Sequence, residues 1–142
     1  MYFVSVTRLR LRSWRYLPPF LLQAYRSAKQ AKSSEGSSAV AMLWESENTF
    51  WTRTVWSSED AMKLFMLSGA HRQVMPRLLP WCDEAAVVHW TQELSQPPSW
   101  EQAHQRLQQG GRPSKVDRPT QAHRDHQIRP PRVRIPGELR FK

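Results

Sequence analysis

The sequence predicts an α+β domain built on a ferredoxin-like βαββαβ antiparallel sheet with its helices on one face. Two observations support this fold class. Four segments alternate as strands do, and two segments with helical spacing lie among them, in the order strand, helix, strand, strand, helix, strand. All four strands also carry apolar side chains on both faces, so the face without helices needs a cover. A second copy of the chain is the simplest cover, which predicts a homodimer with a ligand-sized space between two facing sheets.

The first half of the chain supplies three strands and one helix. Tyr2–Leu11 places its valines on one face and larger apolar groups on the other. Two prolines suit a first helical turn, and a helix over about Phe20–Lys32 is predicted after them. Ser38–Glu45 is apolar on both faces, and Phe50–Trp56 follows after a short polar turn. This short connection indicates an antiparallel hairpin.

The second helix begins at a capping signal. In Ser57–Asp60 a serine can cap the free amide groups, and the two acidic residues complement the positive helix end. Helical spacing then continues to Gly69. A second helical piece over Ala70–Leu79 is predicted, kinked or restarted at Pro76 because proline lacks an amide donor. Ala85–Gln92 is the fourth predicted strand.

Composition divides the chain into a domain over residues 1–95 and an appendage over residues 96–142. The appendage holds seven of the eleven prolines and few large apolar residues. A short helix over about Ser99–Gln109 is predicted near its start, and the remainder is predicted to be extended or disordered. Three apolar side chains can dock this helix on the domain: Trp100, Ala103 and Leu107.

The chain is strongly basic, with a formal net charge of +9. Residues 96–142 carry ten Lys and Arg against four Asp and Glu, so most of the excess charge lies in the appendage. A solvated extension is the simpler interpretation of such a segment. The alternative is contact with nucleic acid or another acidic partner through sequence-independent ionic contacts.

Three features bear on location. The single cysteine allows no internal disulfide, which points to a reducing compartment. No run approaches the ~18 apolar residues of a membrane span. The first residues change from apolar to basic, the reverse of a secretory signal. Together these features predict a cytoplasmic location.

Three fragments carry a resemblance to a known family: VSVTRLRLRSWRYLPPF, FWTRTVWSSEDAMKLFMLSGAHRQVMPRL and WCDEAAVVHW. Over about Tyr2–Trp90 the chain resembles a bacterial domain family of unknown function. That family is similar to spheroidene monooxygenase and, more distantly, to antibiotic-biosynthesis monooxygenases. The resemblance implies the dimeric α/β-barrel fold, but the family itself has no assigned reaction.

His71 is the sharpest candidate for chemistry, because it opens a helical piece among apolar neighbours. A neutral imidazole in an apolar cavity can ligate haem iron, and proteins like spheroidene monooxygenase are haem enzymes. No CxxCH motif is present, so any haem would be non-covalent. The alternative is a histidine that caps a backbone carbonyl or lies at the dimer interface. His89, on the last strand, is a weaker candidate because such a histidine often only satisfies a neighbour.

Aromatic and basic residues supply candidate walls for a ligand. Arg12 and Arg15, with Trp14 and Tyr16, form a rim suited to a propionate, carboxylate or phosphate. Five tryptophans can line a cavity for a flat apolar ligand, or equally form the core and interface. These are Trp81 and the four that are taken as candidate site residues, Trp44, Trp51, Trp56 and Trp90.

Other polar residues fit structural roles better than chemistry. Neighbouring Asp83 and Glu84 disfavour a thiolate at Cys82, so this cysteine is interpreted as a packing residue. The two carboxylates are adjacent and point apart on a strand, so they are not a catalytic pair. The sequence has no Gly-rich phosphate loop, HExxH, Cys₂His₂ spacing or GxSxG motif. The three histidines of the appendage are spaced too loosely for a zinc site.

The leading hypothesis is a homodimeric protein that binds a small aromatic or isoprenoid-like molecule and oxidises it as a monooxygenase, either with haem or without a cofactor. His71 is then ligand or base, the four tryptophans and His89 contact the substrate, and Arg12 and Arg15 hold an acidic group. The alternative hypothesis is a non-catalytic dimeric binding or scaffold protein. Its basic appendage would contact an acidic partner or nucleic acid.

Overall fold

The order of helices and strands follows the predicted pattern and extends it. The computed structural model describes residues 1–45, 48–132 and 137–142. Its strands are β1 (Tyr2–Leu11), β2 (Ser37–Trp44), β3 (Thr49–Trp56), β4 (Cys82–Gln92), β5 (Arg112–Pro113) and β6 (Glu138–Arg140). Its helices are α1 (Leu17–Ser33), α2 (Glu59–Met66), α3 (Gly69–Trp81), α4 (Trp100–Gly110) and α5 (Gln121–Arg124).

The six strands form one sheet in the order β5-β4-β1-β3-β2-β6, and every pair of neighbours is antiparallel. The inner order β4-β1-β3-β2 is that of a ferredoxin-like sheet, which confirms the predicted fold class. The helices α1, α2 and α3 of this unit lie on one face, called here the helix face. Of the described helices, none is long and apolar enough to cross a membrane.

The helix boundaries have local causes. The Ser58 hydroxyl accepts a hydrogen bond from the Ala61 amide at 3.2 Å, so α2 begins at the predicted cap. Gly69 starts α3 rather than closing α2, and its φ of +56° is one that glycine adopts without strain. Pro76 and Pro80 lie inside α3, which continues past Pro76 to Trp81.

The second face of the sheet is covered by the chain itself. Helix α4 lies across it and buries the three predicted docking side chains: Trp100, Ala103 and Leu107. They pack with Val4 and Val6 of β1 and Trp51 of β3 in one core cluster. The argument for a second copy rested on a bare second face, and α4 removes that argument. The homodimer therefore stays a prediction.

Buried arginines mark this second face. Arg53 is 5% exposed, and its Nη1 donates to the Pro98 carbonyl at 2.9 Å. Its guanidinium lies 4.3 Å from the centre of the Trp100 ring, and Nη2 is 3.5 Å from the Glu138 carboxylate. Arg8 is also 5% exposed and pairs with Glu84 at 2.7 Å. Arg8 is thus part of the core.

The segment after α4, predicted to be extended or disordered, is packed against the domain. Strand β5 pairs with the β4 edge, and the Asp117 amide donates to the Leu79 carbonyl at 3.0 Å. Ile128 is buried in the α4 cluster, and β6 pairs with β2 at the opposite edge of the sheet. Large apolar residues are few in this segment, and backbone hydrogen bonds to the domain hold it in place instead.

We expect the α4 contacts to dominate stability. Trp100→Ala should lower the free energy of unfolding by about 3–5 kcal/mol, because it leaves a cavity and removes the ring beneath Arg53. Trp14→Ala is the matched control, because Trp14 is 63% exposed and should change stability by less than about 0.5 kcal/mol. Urea denaturation followed by circular dichroism measures both. Equal effects of the two substitutions would contradict the packing role of α4.

Candidate functional site

A cavity of about 660 Å³ lies between the helix face of the sheet and the helices α1, α2 and α3. Its size falls within the range of small-molecule sites. The helices contribute mainly apolar groups, among them Phe20, Met62, Phe65, Val74 and Leu78. The cavity therefore lies within a single chain. The sequence predicted a ligand space elsewhere, between the facing sheets of two copies of the chain.

The sheet gives this cavity a floor of four hydroxyl groups. Ser5 and Thr7 of β1 stand directly opposite Thr54 and Thr52 of β3, and all four line the cavity. Thr54 Oγ1 also accepts a hydrogen bond from the Trp56 indole at 2.8 Å. Sequence reasoning missed this hydroxyl floor. The signal was available, since alternate residues of both central strands are hydroxylated on the face that the helices cover.

His71 lies in the first turn of α3, half-buried against the cavity. Its Nδ1 is 3.3 Å from the Met66 carbonyl, and its ring centre is 4.6 Å from that of Phe65. A carbonyl only accepts, so a hydrogen bond here requires the proton on Nδ1 and leaves Nε2 with its lone pair. Burial lowers the pKa of His71, and the bond to Met66 offsets this only in part. The imidazole is therefore neutral at pH 7.

The side chain of Gln30 fixes the position of His71. Its Nε2 donates to the Phe65 and Ser68 carbonyls at 3.2 and 2.7 Å, and its Oε1 accepts from the His71 amide at 2.9 Å. One amide group from α1 thus joins the end of α2 to the start of α3. A Cβ at Gly69 would lie 3.2 Å from this amide group, which leaves little room for a larger residue.

His89 and Ser27 line the cavity, and each holds one buried polar atom. His89 Nε2 and Ser27 Oγ have no hydrogen-bond partner in the part of the chain that the structure describes, and both residues line the cavity. Burial lowers the pKa of His89, and the nearby Arg112 acts in the same direction.

The four predicted tryptophans divide between the two faces. Trp51 and Trp90 belong to the α4 cluster and do not line the cavity, because their strand positions point to the second face. Trp56 is fully buried on the helix face, where its ring lies 5.2 Å from Phe65. Trp44 is partly exposed and stacks on Phe50 at 5.4 Å. Of the eight predicted site residues, the structure places only His71 and His89 in the cavity wall.

The predicted basic rim lies outside the cavity. Arg12 donates to the Pro80 carbonyl and to the Tyr16 hydroxyl, each at 2.6 Å. Arg15 is exposed, with its guanidinium 5.5 Å from the Tyr16 ring. Arg12 therefore ties the turn after β1 to the end of α3. The cations that do line the cavity are Arg112 and Lys115, which sequence reasoning missed because it assigned them to a disordered segment.

The Cys82 region is structural. Burial, with a smaller contribution from Asp83, raises the pKa of the Cys82 thiol to about 12. Asp83 pairs with Arg10 at 2.8 Å. Burial alone would raise the pKa of Glu84, but hydrogen bonds from Arg8 and Thr120 outweigh it and lower that pKa. In the described part of the chain, no cluster of three or more His, Cys, Asp or Glu could hold a metal ion.

The state of Cys82 can be tested by thiol labelling. Because the thiol is buried and its pKa is about 12, the native chain should not react with Ellman's reagent at about pH 8. The same chain in denaturant should react with one equivalent. Rapid labelling of the native chain would show that β4 and α3 do not cover this residue.

The cavity histidines should make stability depend on pH. Their pKa values are lowered in the folded chain, so the unfolded chain binds more protons below about pH 6.5. Stability should therefore fall as pH decreases from about 6.5 to about 5. The double variant His71→Gln/His89→Gln should show a shallower fall in thermal unfolding over this window. An unchanged slope would contradict the burial of these imidazoles.

Comparison with known proteins agrees with the fold. Residues 24–112 match the family described as Domain of unknown function (DUF3291). Among curated proteins, none matches significantly.

Solved structures with the same fold include SnoaB from Streptomyces nogalater, described as a cofactor-independent oxygenase (TM-score 0.55, 16% identity, covering 68% of this chain and 98% of that one). An antibiotic biosynthesis monooxygenase is also similar (TM-score 0.58, 10% identity, covering 66% of this chain and 100% of that one). So is a conserved protein from Methanosarcina mazei (TM-score 0.59, 12% identity, covering 66% of this chain and 94% of that one). At these identities the likeness establishes the fold alone. The sequence match covers more than half of the chain, which therefore belongs to the DUF3291 family of domains of unknown function.

Proposed function

We propose that this protein binds an apolar aromatic or isoprenoid-like molecule in the cavity and oxidises it with molecular oxygen. The observation that carries the proposal is the cavity itself: apolar helical walls, a hydroxyl floor and two neutral imidazoles in one space. The fold it shares with SnoaB, a cofactor-independent oxygenase, supports the reaction class.

His71 is the proposed general base. Its Nδ1 faces the Met66 carbonyl, so the free Nε2 can accept a proton from an acidic C–H of the substrate. Gln30 anchors the His71 backbone, and the Met66 carbonyl and Phe65 contact its ring, which favours proton transfer at a fixed position. His89 is the second candidate base, because it lines the cavity and burial lowers its pKa.

The hydroxyl floor can stabilise the anion that deprotonation creates. Thr7 and Thr52, paired on the central strands, are placed to donate to an oxygen of the substrate on which negative charge collects. The deprotonated substrate then gives electrons to O₂. In the overall reaction a CH₂ group becomes C=O, one oxygen atom enters the product and the other leaves as water. Atoms and electrons balance without an external reductant.

Haem is the alternative that the resemblance implies, and one observation fits it. A histidine that ligates a metal usually donates its other ring N–H to a carbonyl or carboxylate, as His71 does to Met66. His71 would hold the iron, and haem would supply oxygen activation there. The role of Gln30 in anchoring the His71 backbone is the same in both cases.

The alternative function, a scaffold that works through a free basic appendage, stays a prediction. It is not favoured by the packing of α4, β5 and Ile128 against the domain. The homodimer and the cytoplasmic location also stay predictions. The appendage also supplies Trp100 to the core and Arg112 to the cavity wall.

Oxygen uptake with anthrone, an apolar tricyclic compound with an acidic CH₂ group, tests the proposal. The protein should consume one O₂ per anthrone oxidised, and His71→Phe should reduce kcat by at least about 100-fold. Trp14→Phe is the matched control, since Trp14 lies outside the cavity wall. No uptake above the rate in buffer, with anthrone shown to bind, would contradict the oxygenase proposal.

The same preparation distinguishes the two cofactor alternatives. Its absorption spectrum should be recorded before and after titration with haemin. A Soret band that disappears in His71→Phe would assign the oxidation to haem. Uptake by protein that shows no Soret band and no saturable haemin binding would assign it to the cofactor-free route.

A further inference from the structure

The mouth of the cavity lies between α3 and the segment after α4. Arg112 and Lys115 line this mouth, and both are exposed. On the opposite side, Met75 and Pro76 of α3 are also exposed cavity residues. The two cations therefore stand where a bound molecule would meet solvent.

The backbone around these cations is held at several points. Arg112 pairs with Val87 of β4, and the Ser114 amide donates to the Ala85 carbonyl at 2.8 Å. The Asp117 amide donates to the Leu79 carbonyl at 3.0 Å. At Gly111 a Cβ would lie 2.4 Å from the Leu107 carbonyl oxygen, so this turn requires glycine. Arg112 and Lys115 thus extend from a fixed segment and not from a loose tail.

The charges around the cavity have one sign. Among the described residues that line it there is no carboxylate, and Arg112 and Lys115 are its charged members. Neither cation has a carboxylate within 4 Å among the residues that the structure describes. Deeper in the cavity the helical walls are apolar. A complementary ligand combines an apolar body with a negative charge at one end.

We propose that Arg112 and Lys115 form a head-group subsite for a carboxylate, so that the substrate is an amphipathic organic acid whose apolar body fills the cavity. This inference rests on the proposed function and names the substrate class for the same site. The acid-binding role predicted for Arg12 and Arg15 is thereby assigned to a different pair of cations. Arginine suits it, because its planar guanidinium can bind both oxygens of a carboxylate.

Two fluorescent dyes that differ in one charged group test the proposal. Anilinonaphthalene sulfonate is an apolar anion, and N-phenylnaphthylamine is the same ring system without the sulfonate. Arg112→Gln/Lys115→Gln should weaken binding of the sulfonate dye at least about tenfold and leave the neutral dye within about twofold. Raising NaCl from about 20 to about 200 mM should weaken the sulfonate dye with the unmodified protein only.

Matched variants separate the subsite from general charge effects. Arg118→Gln/Arg124→Gln removes the same charge from exposed positions outside the cavity wall and should leave both dyes within about twofold. Ala28→Trp, or Ala28→Leu if the larger residue prevents folding, should weaken both dyes because Ala28 lines the cavity. If neither Ala28 variant changed the affinity for the dyes, the dyes would bind outside the cavity. That result would overturn the assignment.

The two proposals can fail separately. Suppose that the neutral dye binds and that the Ala28 variants weaken its binding. If the Arg112→Gln/Lys115→Gln variant then changes the affinity for both dyes equally, the head-group subsite is wrong, but the apolar cavity still binds small molecules. If neither dye binds the unmodified protein, the small-molecule function fails, and the subsite fails with it. Finally, octanoic acid should displace the sulfonate dye at a lower concentration than octanol, since only the acid can pair with the cations.

Discussion

The structure depends on one constraint: a sheet with apolar side chains on both faces must be covered twice. The first cover, made by α1, α2 and α3, leaves a cavity of about 660 Å³ above the hydroxyl floor. The second, made by α4 and Ile128, is filled by Trp51, Trp90 and Trp100. The same chain thus builds one loosely filled layer and one densely filled layer on a single sheet. The proposed ligand binding belongs to the first layer, and much of the stability is expected from the second.

Buried arginines determine what can cover the second face. Arg8 and Arg53 extend from the two central strands into that layer, and burying an unpaired charge is costly. Their partners come from this chain: Glu84 for Arg8, and the Pro98 carbonyl with Glu138 for Arg53. A purely apolar cover would leave Arg53 unpaired, whereas Arg8 keeps Glu84 of β4 as its partner. The appendage is therefore an integral part of the domain, because it brings the hydrogen-bond acceptors that the sheet requires.

The local features of the fold could be predicted from sequence, and the long-range ones could not. The alternation of apolar and polar residues predicted the bounds of β1, and the capping signal in Ser57–Asp60 predicted where α2 begins. The face that each strand residue occupies was also available, but which face holds the cavity depends on where α4 docks. Trp51 and Trp90 were therefore assigned to a ligand wall although their face is solidly packed. The sequence did not reveal that residues 112–117 pack in a fixed position against the domain. Backbone hydrogen bonds hold this segment, and amino-acid composition does not encode them.

These backbone bonds also connect stability to recognition. Gly111 turns the chain from α4, which closes the second face, directly into β5, which brings Arg112 to the cavity. The short stretch from Leu107 to Gly111 therefore joins the densely packed layer to the mouth of the loosely packed one. The match to the family ends at residue 112, so Lys115 and the held segment around it lie beyond the matched region. The proposed charge recognition is then divided between the last matched residue, Arg112, and a lysine outside the match. Differences in this short segment can change the ligand class without changing the sheet and helices that hold the proposed base.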